Sequence, residues 1–204
     1  LGSSDVAAYD RSVQSLSEHL MIAKQIGARG VIFHLGSPNG RAKEEAFERV
    51  LLGMRRVLAS VPGETELIME NSGSVKKLGS HLAELGRLVR SIRSPRVRVC
   101  IDTAHAFEAG IVRDYTPSGI AAFIAEIGDE IGLDRLAVLH VNDSKTPWNS
   151  QRDQHENIGD GTIGIEGFRN LARDGRLNRM AWILEVPGLD GSGPDSENVR
   201  RIRS

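Results

Sequence analysis

The sequence predicts an α/β fold with a parallel sheet that forms part of a TIM (β/α)8 barrel. Two observations support this fold class. Five short apolar segments alternate with segments of helical periodicity along the 204 residues, which is the pattern of serial βα units. No Gly-x-Gly-x-x-Gly motif follows the first apolar segment, so an open nucleotide-binding sheet is disfavoured. We therefore expect residues 1–204 to form a single partial barrel domain containing the last five βα units, with three units preceding Leu1.

Apolar residues at helical spacing predict the helices, and capping residues indicate where they begin and end. Asp5 and Gly27 flank the first helix, at its N-cap and beyond its last turn. Pro62 follows the second helix and Pro95 follows the third, where proline cannot continue the helix. The predicted helices span residues 7–26, 44–60, 75–92, 117–131 and 165–174.

Short runs rich in β-branched residues predict the strands. The third run contains Val97, Val99 and Ile101 in alternation and ends in a carboxylate, Asp102. In a parallel α/β protein, active-site residues lie at this carboxyl end of the strands. The predicted strands cover residues 31–34, 66–70, 96–102, 136–141 and 180–186.

The composition shows no overall preference for nucleic acid or membrane. Hydrophobic residues make up 40% of the chain, charged residues 26%, and the formal net charge is −1. This balance disfavours a protein that coats DNA, although it permits a local basic rim or a metal-lined cleft. The single cysteine, Cys100, excludes an internal disulfide and is typical of a cytoplasmic protein. No apolar run approaches the roughly 20 residues that a membrane span needs.

Every predicted strand carries a possible metal ligand at or near its carboxyl end. One such residue alone would more often be a hydrogen-bonded core side chain or a helix cap. Five at one rim need a compensating positive charge, because buried carboxylates without partners are costly. A divalent metal supplies that charge most simply. The five ligands are His34, Glu70, Asp102, His140 and Glu185.

Three further donors lie beyond the strand ends. His105 follows the third strand, and Asp153 and His155 form an Asp-x-His pair in the long loop after the fourth. In an extended segment, residues i and i+2 project to the same side and can bind one ion. Histidine and carboxylate ligands without thiolate favour Zn²⁺ or Mn²⁺. The donors suffice for two or three ions, an arrangement used to hydrolyse phosphodiesters.

Six ordered motifs extend over nearly the whole sequence. They are FHLGS (33–37), MENSGS (69–74), CIDTAHAFEAG (100–110), LHVNDSK (139–145), RDQHENIGDGTIG (152–164) and ILEVPG (183–188). Together they resemble the motifs of the endonuclease IV family, whose members are trinuclear-zinc apurinic/apyrimidinic (AP) endonucleases on a xylose isomerase-like TIM barrel. The resemblance implies a monomeric DNA-repair hydrolase that cleaves the phosphodiester 5′ to an abasic site in damaged double-stranded DNA.

The resemblance also implies a role for each donor. Glu70 would bridge two of three zinc ions, one of which could be replaced by Mn²⁺. Glu70, Asp102 and Glu185 would be the catalytic residues, around a bridging hydroxide that attacks the phosphate. The first site would contain His34 and Glu70, the second Glu70, Asp102, His140 and Glu185, and the third His105, Asp153 and His155.

Several positions depart from the family pattern. The histidine that completes the first zinc site at the end of the third barrel strand has no counterpart, since the sequence is expected to begin just after it. Leu35 stands where proline is usual, and Ala104 stands where cysteine is common. Gln154 replaces an arginine and removes a possible phosphate contact, so Lys145 and Arg152 are the expected DNA-binding residues.

Two other functions remain open. A metal-dependent sugar isomerase or epimerase on a related barrel also ends its strands in Glu, Asp and His. It needs only one ion, which leaves His105, Asp153 and His155 unexplained. A catalytically inactive relative that binds nucleic acid is the third possibility, and the nearly complete ligand set disfavours it. Because five strands cannot close a barrel, we also expect the isolated 204 residues to be poorly stable or inactive.

The metal content of the intact protein separates the nuclease from the isomerase. We expect two or three zinc ions per chain, because the donors exceed what one ion needs. Elemental analysis of zinc-loaded, dialysed protein measures this ratio. A ratio of one ion per chain would instead favour the isomerase.

Overall fold

In the computed structural model, which describes residues 1–203, the five expected strands form one parallel sheet. The strands are β1 (Gly30–His34), β2 (Glu66–Glu70), β3 (Val97–Asp102), β4 (Leu136–His140) and β7 (Ala181–Ile183). They are arranged in the order β1-β2-β3-β4-β7, so neighbours in the sheet follow one another along the chain. Between β4 and β7, a short antiparallel hairpin is formed by β5 (Asp143–Ser144) and β6 (His155–Glu156).

Helices connect the strands and cover one face of the sheet. They are α1 (Val6–Gln25), α2 (Lys43–Ser60), α3 (Leu82–Ile92), α4 (Thr103–Glu108), α5 (Pro117–Glu130), α6 (Gly164–Arg173) and α7 (Ser196–Arg203). Met69, Val99 and Ile101 of the sheet lie in one large apolar cluster with buried residues of α2, α3 and α5. None of the helices that the structure describes is long and apolar enough to cross a membrane.

The opposite face of the sheet carries a smaller apolar cluster that contains Ile68, Cys100 and Val138. Because successive side chains of a strand point to opposite faces, residues two positions further along share this face. On this face, the apolar side chain of each of the three strands is therefore followed by a polar side chain at the carboxyl end of the strand. These residues are Glu70, Asp102 and His140.

The register of the sheet aligns the end of β1 with that of β2 and the end of β3 with that of β4, whereas Glu70 is paired with Cys100, two residues before the end of β3. His34 is paired with Glu70, and Asp102 is paired with His140. A shift in register between Val99 and Cys100 interrupts the pairing of β3 with β4. Below this irregularity Val99 is paired with Leu136, and beyond it the last residues of the two strands are aligned.

The helix predicted over residues 75–92 is wrong in its first part, because α3 begins only at Leu82. The preceding residues form a loop that is bonded to the neighbouring strand ends. The amide of Leu78 donates to the carbonyl of Gly36, and the amide of Ser72 donates to the carbonyl of Gly79. Gly79 has a φ of +83°, a left-handed conformation that no helix contains.

The other differences from the sequence prediction are short elements. The last strand of the sheet covers three residues, fewer than the predicted 180–186. The loop expected over residues 142–164 contains the hairpin of β5 and β6, and α4 was not predicted. These elements are too short to give a periodic pattern, and contacts with the rest of the fold stabilise them.

Replacement of Gly86 by alanine tests the packing of α3 against α5. A Cβ atom at residue 86 would lie 1.9 Å from the carbonyl oxygen of Glu130, so the helices must separate. We expect Gly86→Ala to lower the free energy of unfolding by about 1–3 kcal/mol, the usual cost of overpacking. Chemical denaturation measures this change.

Gly128 of α5 provides the matched control. A Cβ atom there would approach nothing closer than 3.8 Å, so Gly128→Ala should raise the free energy of unfolding by roughly 0.5–1 kcal/mol through helix propensity. Equal effects of the two substitutions would contradict the close packing at Gly86.

Candidate metal centre

The structure brings the five predicted strand-end donors to one rim of the sheet. His34, Glu70, Asp102 and His140 are the last residues of β1 to β4, and Glu185 follows β7 by two residues. Glu70, Asp102 and His140 are buried. The side chains of His34 and Glu185 are 42% and 46% exposed. The rim therefore has a buried floor and two flanking donors that face solvent.

Glu70 lies at the centre of this rim. Its Oε1 atom accepts a hydrogen bond from Nδ1 of His140 at 2.9 Å and lies 3.4 Å from Nδ1 of His105. Its Oε2 atom lies 3.6 Å from Nε2 of His34. Burial opposes ionisation of Glu70, but hydrogen bonds from His105 and His140 prevail and lower its pKa to about 2. The two oxygens of this carboxylate thus face different imidazoles, as a bridging ligand requires.

His140 joins Glu70 to the fifth strand. Its Nδ1 atom also lies 3.0 Å from Oε2 of Glu185. Burial disfavours the imidazolium, but contacts with Cys100, Glu185 and Glu70 raise the pKa of His140 to about 12. The same histidine lowers the pKa of Glu185 through its hydrogen bond. Without an ion, a proton on His140 offsets part of the negative charge of these carboxylates.

A second group of donors is formed by His105 of α4 with Asp153 and His155 of the loop after β4. The Nε2 atoms of the two histidines are 3.4 Å apart. Oδ1 of Asp153 lies 3.1 Å from Nε2 of His105 and 4.0 Å from Nε2 of His155. Burial lowers the pKa of His105, but the nearby carboxylates, Asp102 first among them, raise it well above its usual value.

Backbone carbonyls fix the tautomers of these two histidines. Nδ1 of His105 is 3.0 Å from the carbonyl oxygen of Asn71, and Nδ1 of His155 is 3.2 Å from that of Glu185. A carbonyl only accepts hydrogen bonds, so both Nδ1 atoms carry a proton, and the Nε2 atoms are the ones that face the other donors of this group. Nε2 of His105 lies 3.1 Å from Oδ1 of Asp153 and 3.4 Å from Nε2 of His155.

Two buried asparagines hold Asp102, and the sequence alone did not identify either of them. The side-chain amide of Asn142 donates to Oδ2 of Asp102 at 2.6 Å and accepts from the amide of Glu185 at 2.7 Å. The side-chain oxygen of Asn71 accepts from the amide of Asp102 at 2.6 Å. Hydrogen bonds of this kind, from residues that do not themselves bind the metal, orient metal-binding carboxylates. Asn71 directly follows Glu70, and Asn142 lies two residues after His140. This position next to a strand-end donor is the only feature of the sequence that points to either asparagine.

Lys77 is a further residue that the sequence did not reveal. Its Nζ atom donates to Oδ2 of Asp153 at 2.8 Å, on the side of the carboxylate that faces away from His105. The hydrogen bonds from His105 and Lys77 keep the pKa of Asp153 well below its usual value. Lys77 lies in the loop that was predicted as helix, so its approach to the rim could not be anticipated.

The side chains at the rim fit divalent ions. In one set, the ligand atoms of Glu70, Asp102, His140 and Glu185 all lie within 4.8 Å of one another. Two other sets within the same distance contain His34, Glu70 and His105, and Asp102, His105 and His155. Nitrogen and oxygen donors without a thiolate suit Zn²⁺ or Mn²⁺, and a cation would offset the negative charge of the buried carboxylates. Which donors bind which ion stays a prediction.

The two residues predicted to bind DNA lie on the same side of the fold. Lys145 and Arg152 are exposed on the loop that carries Asp153 and His155. Within residues 1–203, neither side chain has a hydrogen bond or ion pair to another residue. Trp148 of the same loop is 40% exposed. The loop thus presents two free cations and an aromatic ring beside the rim, and their contact with DNA stays a prediction.

Comparison with known proteins relates this chain to one family. A profile described as a xylose isomerase-like TIM barrel matches residues 1–203. The probable endonuclease 4 of Carboxydothermus hydrogenoformans is 36% identical over 204 residues, which are 100% of this chain and 71% of that protein. The sheet is therefore the partial TIM barrel that the sequence predicts.

Solved structures give the same result. The crystal structure of endonuclease IV from Thermus thermophilus has a TM-score of 0.82 and 31% identity, over 99% of this chain and 70% of that one. The crystal structure of the IOLI protein with a binding zinc atom has a TM-score of 0.70 over 98% of this chain and 69% of that one. At 12% identity, the second match shows a shared fold alone.

Replacement of Asn142 tests whether its hydrogen bonds to Asp102 and Glu185 support metal binding. Asn142→Ala removes both hydrogen bonds and leaves the four ligands of the set in place. We expect zinc affinity at the set of Glu70, Asp102, His140 and Glu185 to fall by about 10–100-fold, as it does when other residues that orient metal ligands are replaced. Competition with a chromophoric chelator measures this affinity.

Asn198 provides the control, since it is equally buried and bonds to the amide of Ile158. Asn198→Ala should destabilise the fold but leave zinc affinity at the four-ligand set unchanged. An Asn142→Ala protein with unaltered affinity, or equal losses in both variants, would contradict the supporting role.

Proposed function

Because this chain belongs to the endonuclease 4 family of xylose isomerase-like TIM barrels, we propose that it is a zinc-dependent AP endonuclease. In this proposal, it hydrolyses the phosphodiester 5′ to an abasic site in duplex DNA, as a step of base excision repair. The observation that carries the proposal is the convergence of donors from five strands on Glu70, whose two oxygens face different imidazoles.

The proposal assigns the donors to three ions. Glu70 would be shared between the first and second ions, because one of its oxygens faces His34 and the other faces His140. When bound, the ions activate water and stabilise the charge that develops on the phosphate. The first ion would be held by His34 and Glu70, the second by Glu70, Asp102, His140 and Glu185, and the third by His105, Asp153 and His155.

In this proposal, Glu70 and Asp102 supply charge and geometry. With a pKa of about 2, Glu70 stays ionised at neutral pH and cannot donate a proton. The carboxylate of Asp102 accepts from the side chain of Asn142 at one oxygen and from the amide of His105 at the other, so it keeps one orientation. A fixed array of charges aimed at the reacting phosphate is the largest source of rate acceleration in such sites.

The DNA is expected to lie against the exposed loop between β5 and β6. Lys145 and Arg152 would contact phosphates beside the rim, which is compatible with a net charge of −1 because only a local basic surface is needed. An abasic nucleotide has no base to unstack, so its extrusion toward Glu70 costs little. We further propose that the protein acts as a monomer in the cytoplasm, where its buried cysteine, Cys100, stays reduced.

A sugar isomerase or epimerase remains the alternative, and the group of His105, Asp153 and His155 argues against it. Such an enzyme needs one ion and a general base. The two Nε2 atoms of this group face each other at 3.4 Å beside a carboxylate. In an enzyme with a single ion at Glu70, His105, Asp153 and His155 would have no ion to bind.

Replacement of Glu70 by glutamine tests the proposed bridging role. Glutamine keeps the shape of the side chain but loses the charge that is shared by two ions. We expect Glu70→Gln to abolish cleavage of an abasic duplex by the zinc-loaded intact protein, with a loss of at least about 100-fold, the range for one electrostatic group in an active site. A gel assay with a synthetic abasic duplex measures the rate.

Glu66, at the other end of the same strand, provides the matched control. It pairs with Arg29 at 2.7 Å, far along β2 from the rim. Glu66→Gln should cleave the duplex at the normal rate, although it loses this ion pair. Near-normal turnover by Glu70→Gln would refute the bridging role.

A further inference from the structure

Glu108 is a fully buried carboxyl group outside the donor groups described above. It is the last residue of α4 and follows His105 by three positions. Residues three apart lie on the same side of a helix. Glu108 therefore points to the region in which the loop with Asp153 and His155 packs on α4.

Three hydrogen bonds connect Glu108 to both ends of that loop. Its Oε1 atom accepts from the hydroxyl of Ser144 at 2.8 Å and from the hydroxyl of Thr146 at 3.1 Å. The same oxygen accepts from the backbone amide of Gln154 at 3.2 Å. Gln154 lies directly between the two donors of the loop, Asp153 and His155.

The backbone at the end of α4 reinforces this connection. The carbonyl of Glu108 accepts from the amide of Gln151 at 3.0 Å, and the carbonyl of Phe107 accepts from the amide of Asn149 at 3.1 Å. The loop is thus bonded to α4 at its two ends and in its middle. The carboxyl group of Glu108 holds the ends.

The second carboxyl oxygen of Glu108 has different surroundings from the first. Within residues 1–203, Oε2 is buried without a hydrogen-bond partner. It faces Gly73, where a Cβ atom would lie only 2.9 Å away. Burial raises the pKa of Glu108. Glutamine keeps the accepting oxygen and the shape of this side chain, so Glu108→Gln is the conservative variant of the test.

We propose that Glu108 is a positioning residue that clamps the loop of residues 144–154 to α4 and so sets Asp153 and His155 opposite His105. The inference rests on the proposed function in one respect, namely that these three donors bind a metal ion. His105 and Glu108 share one short helix, so the clamp fixes the helix donor and the two loop donors in a common frame. Residues that orient metal ligands in this way commonly change affinity by about 10–100-fold when replaced.

The experiment compares zinc binding by Glu108→Leu and Glu108→Gln in the full chain. Two-dimensional ¹H–¹⁵N NMR of the imidazoles follows His105 and His155 separately from His34 and His140 during a zinc titration. We expect Glu108→Leu, which has no acceptor for Gln154, to weaken zinc binding at His105 and His155 by about 10–100-fold. Binding at His140 should be unchanged, and Glu108→Gln should bind zinc as the unmodified chain does.

Thr146→Val keeps the test decisive if Glu108→Leu fails to fold. It preserves the shape of residue 146 and removes one of the three donors to Glu108. We expect a smaller loss at the same two histidines. Glu126→Leu on α5 is the control, because this glutamate also has a raised pKa but neighbours Glu130 and His81 rather than the rim. It should leave both histidines unaffected.

The outcomes separate this inference from the proposed function. If the unmodified chain binds zinc at His105 and His155 and Glu108→Leu binds it equally well, the clamp is overturned while the metal site stands. If Glu108→Gln loses as much affinity as Glu108→Leu, an accepting oxygen at residue 108 does not position the loop, and the clamp is overturned. If zinc leaves both histidine signals of the unmodified chain unchanged, the proposed third ion fails and the clamp fails with it.

Discussion

The parallel register of the sheet is the constraint on which the candidate centre depends. Because His34 is level with Glu70 and Asp102 is level with His140, carboxylates and imidazoles from separate strands gather at one rim, where His34 and His140 each lie within 4 Å of Glu70. The inner face of the sheet places them above small apolar residues such as Cys100. These apolar residues cannot solvate a charge, so each charge must be balanced at the rim itself. Hydrogen bonds balance part of this charge, and a cation would balance the rest.

The second donor group depends on a different principle. His105 is positioned by the short helix α4, whereas Asp153 and His155 come from a loop that has no long strand of its own. Backbone carbonyls orient both imidazoles, and buried polar side chains join the loop to the helix. The positions of His105, Asp153 and His155 are therefore set by hydrogen bonds between short segments. The positions of the strand-end donors are set by the pairing of the strands in the sheet.

Much of the fold and most of the donors could be predicted from the sequence, since both follow from regular patterns. Strands rich in β-branched residues, each with a carboxylate or imidazole at its end, indicated the sheet and the rim together. The prediction of helix from residue 75 was wrong because Val75 and Leu78 continue the apolar spacing of α3, whereas Gly79 and bonds to the neighbouring strand end hold a loop. Lys77 and Glu108 look like ordinary surface charges in sequence. Only tertiary contacts place one beside Asp153 and bury the other.

The delivery of single donors by separate strands has a consequence for the life of the polypeptide. The second and third proposed ion sites each combine donors from segments far apart in the chain, so a nascent or partly folded chain cannot assemble the complete centre. Competence arises only when the distant segments have met, late in assembly. A nuclease built in this way would have no activity during its synthesis, and it would lose its activity on DNA as soon as it began to unfold.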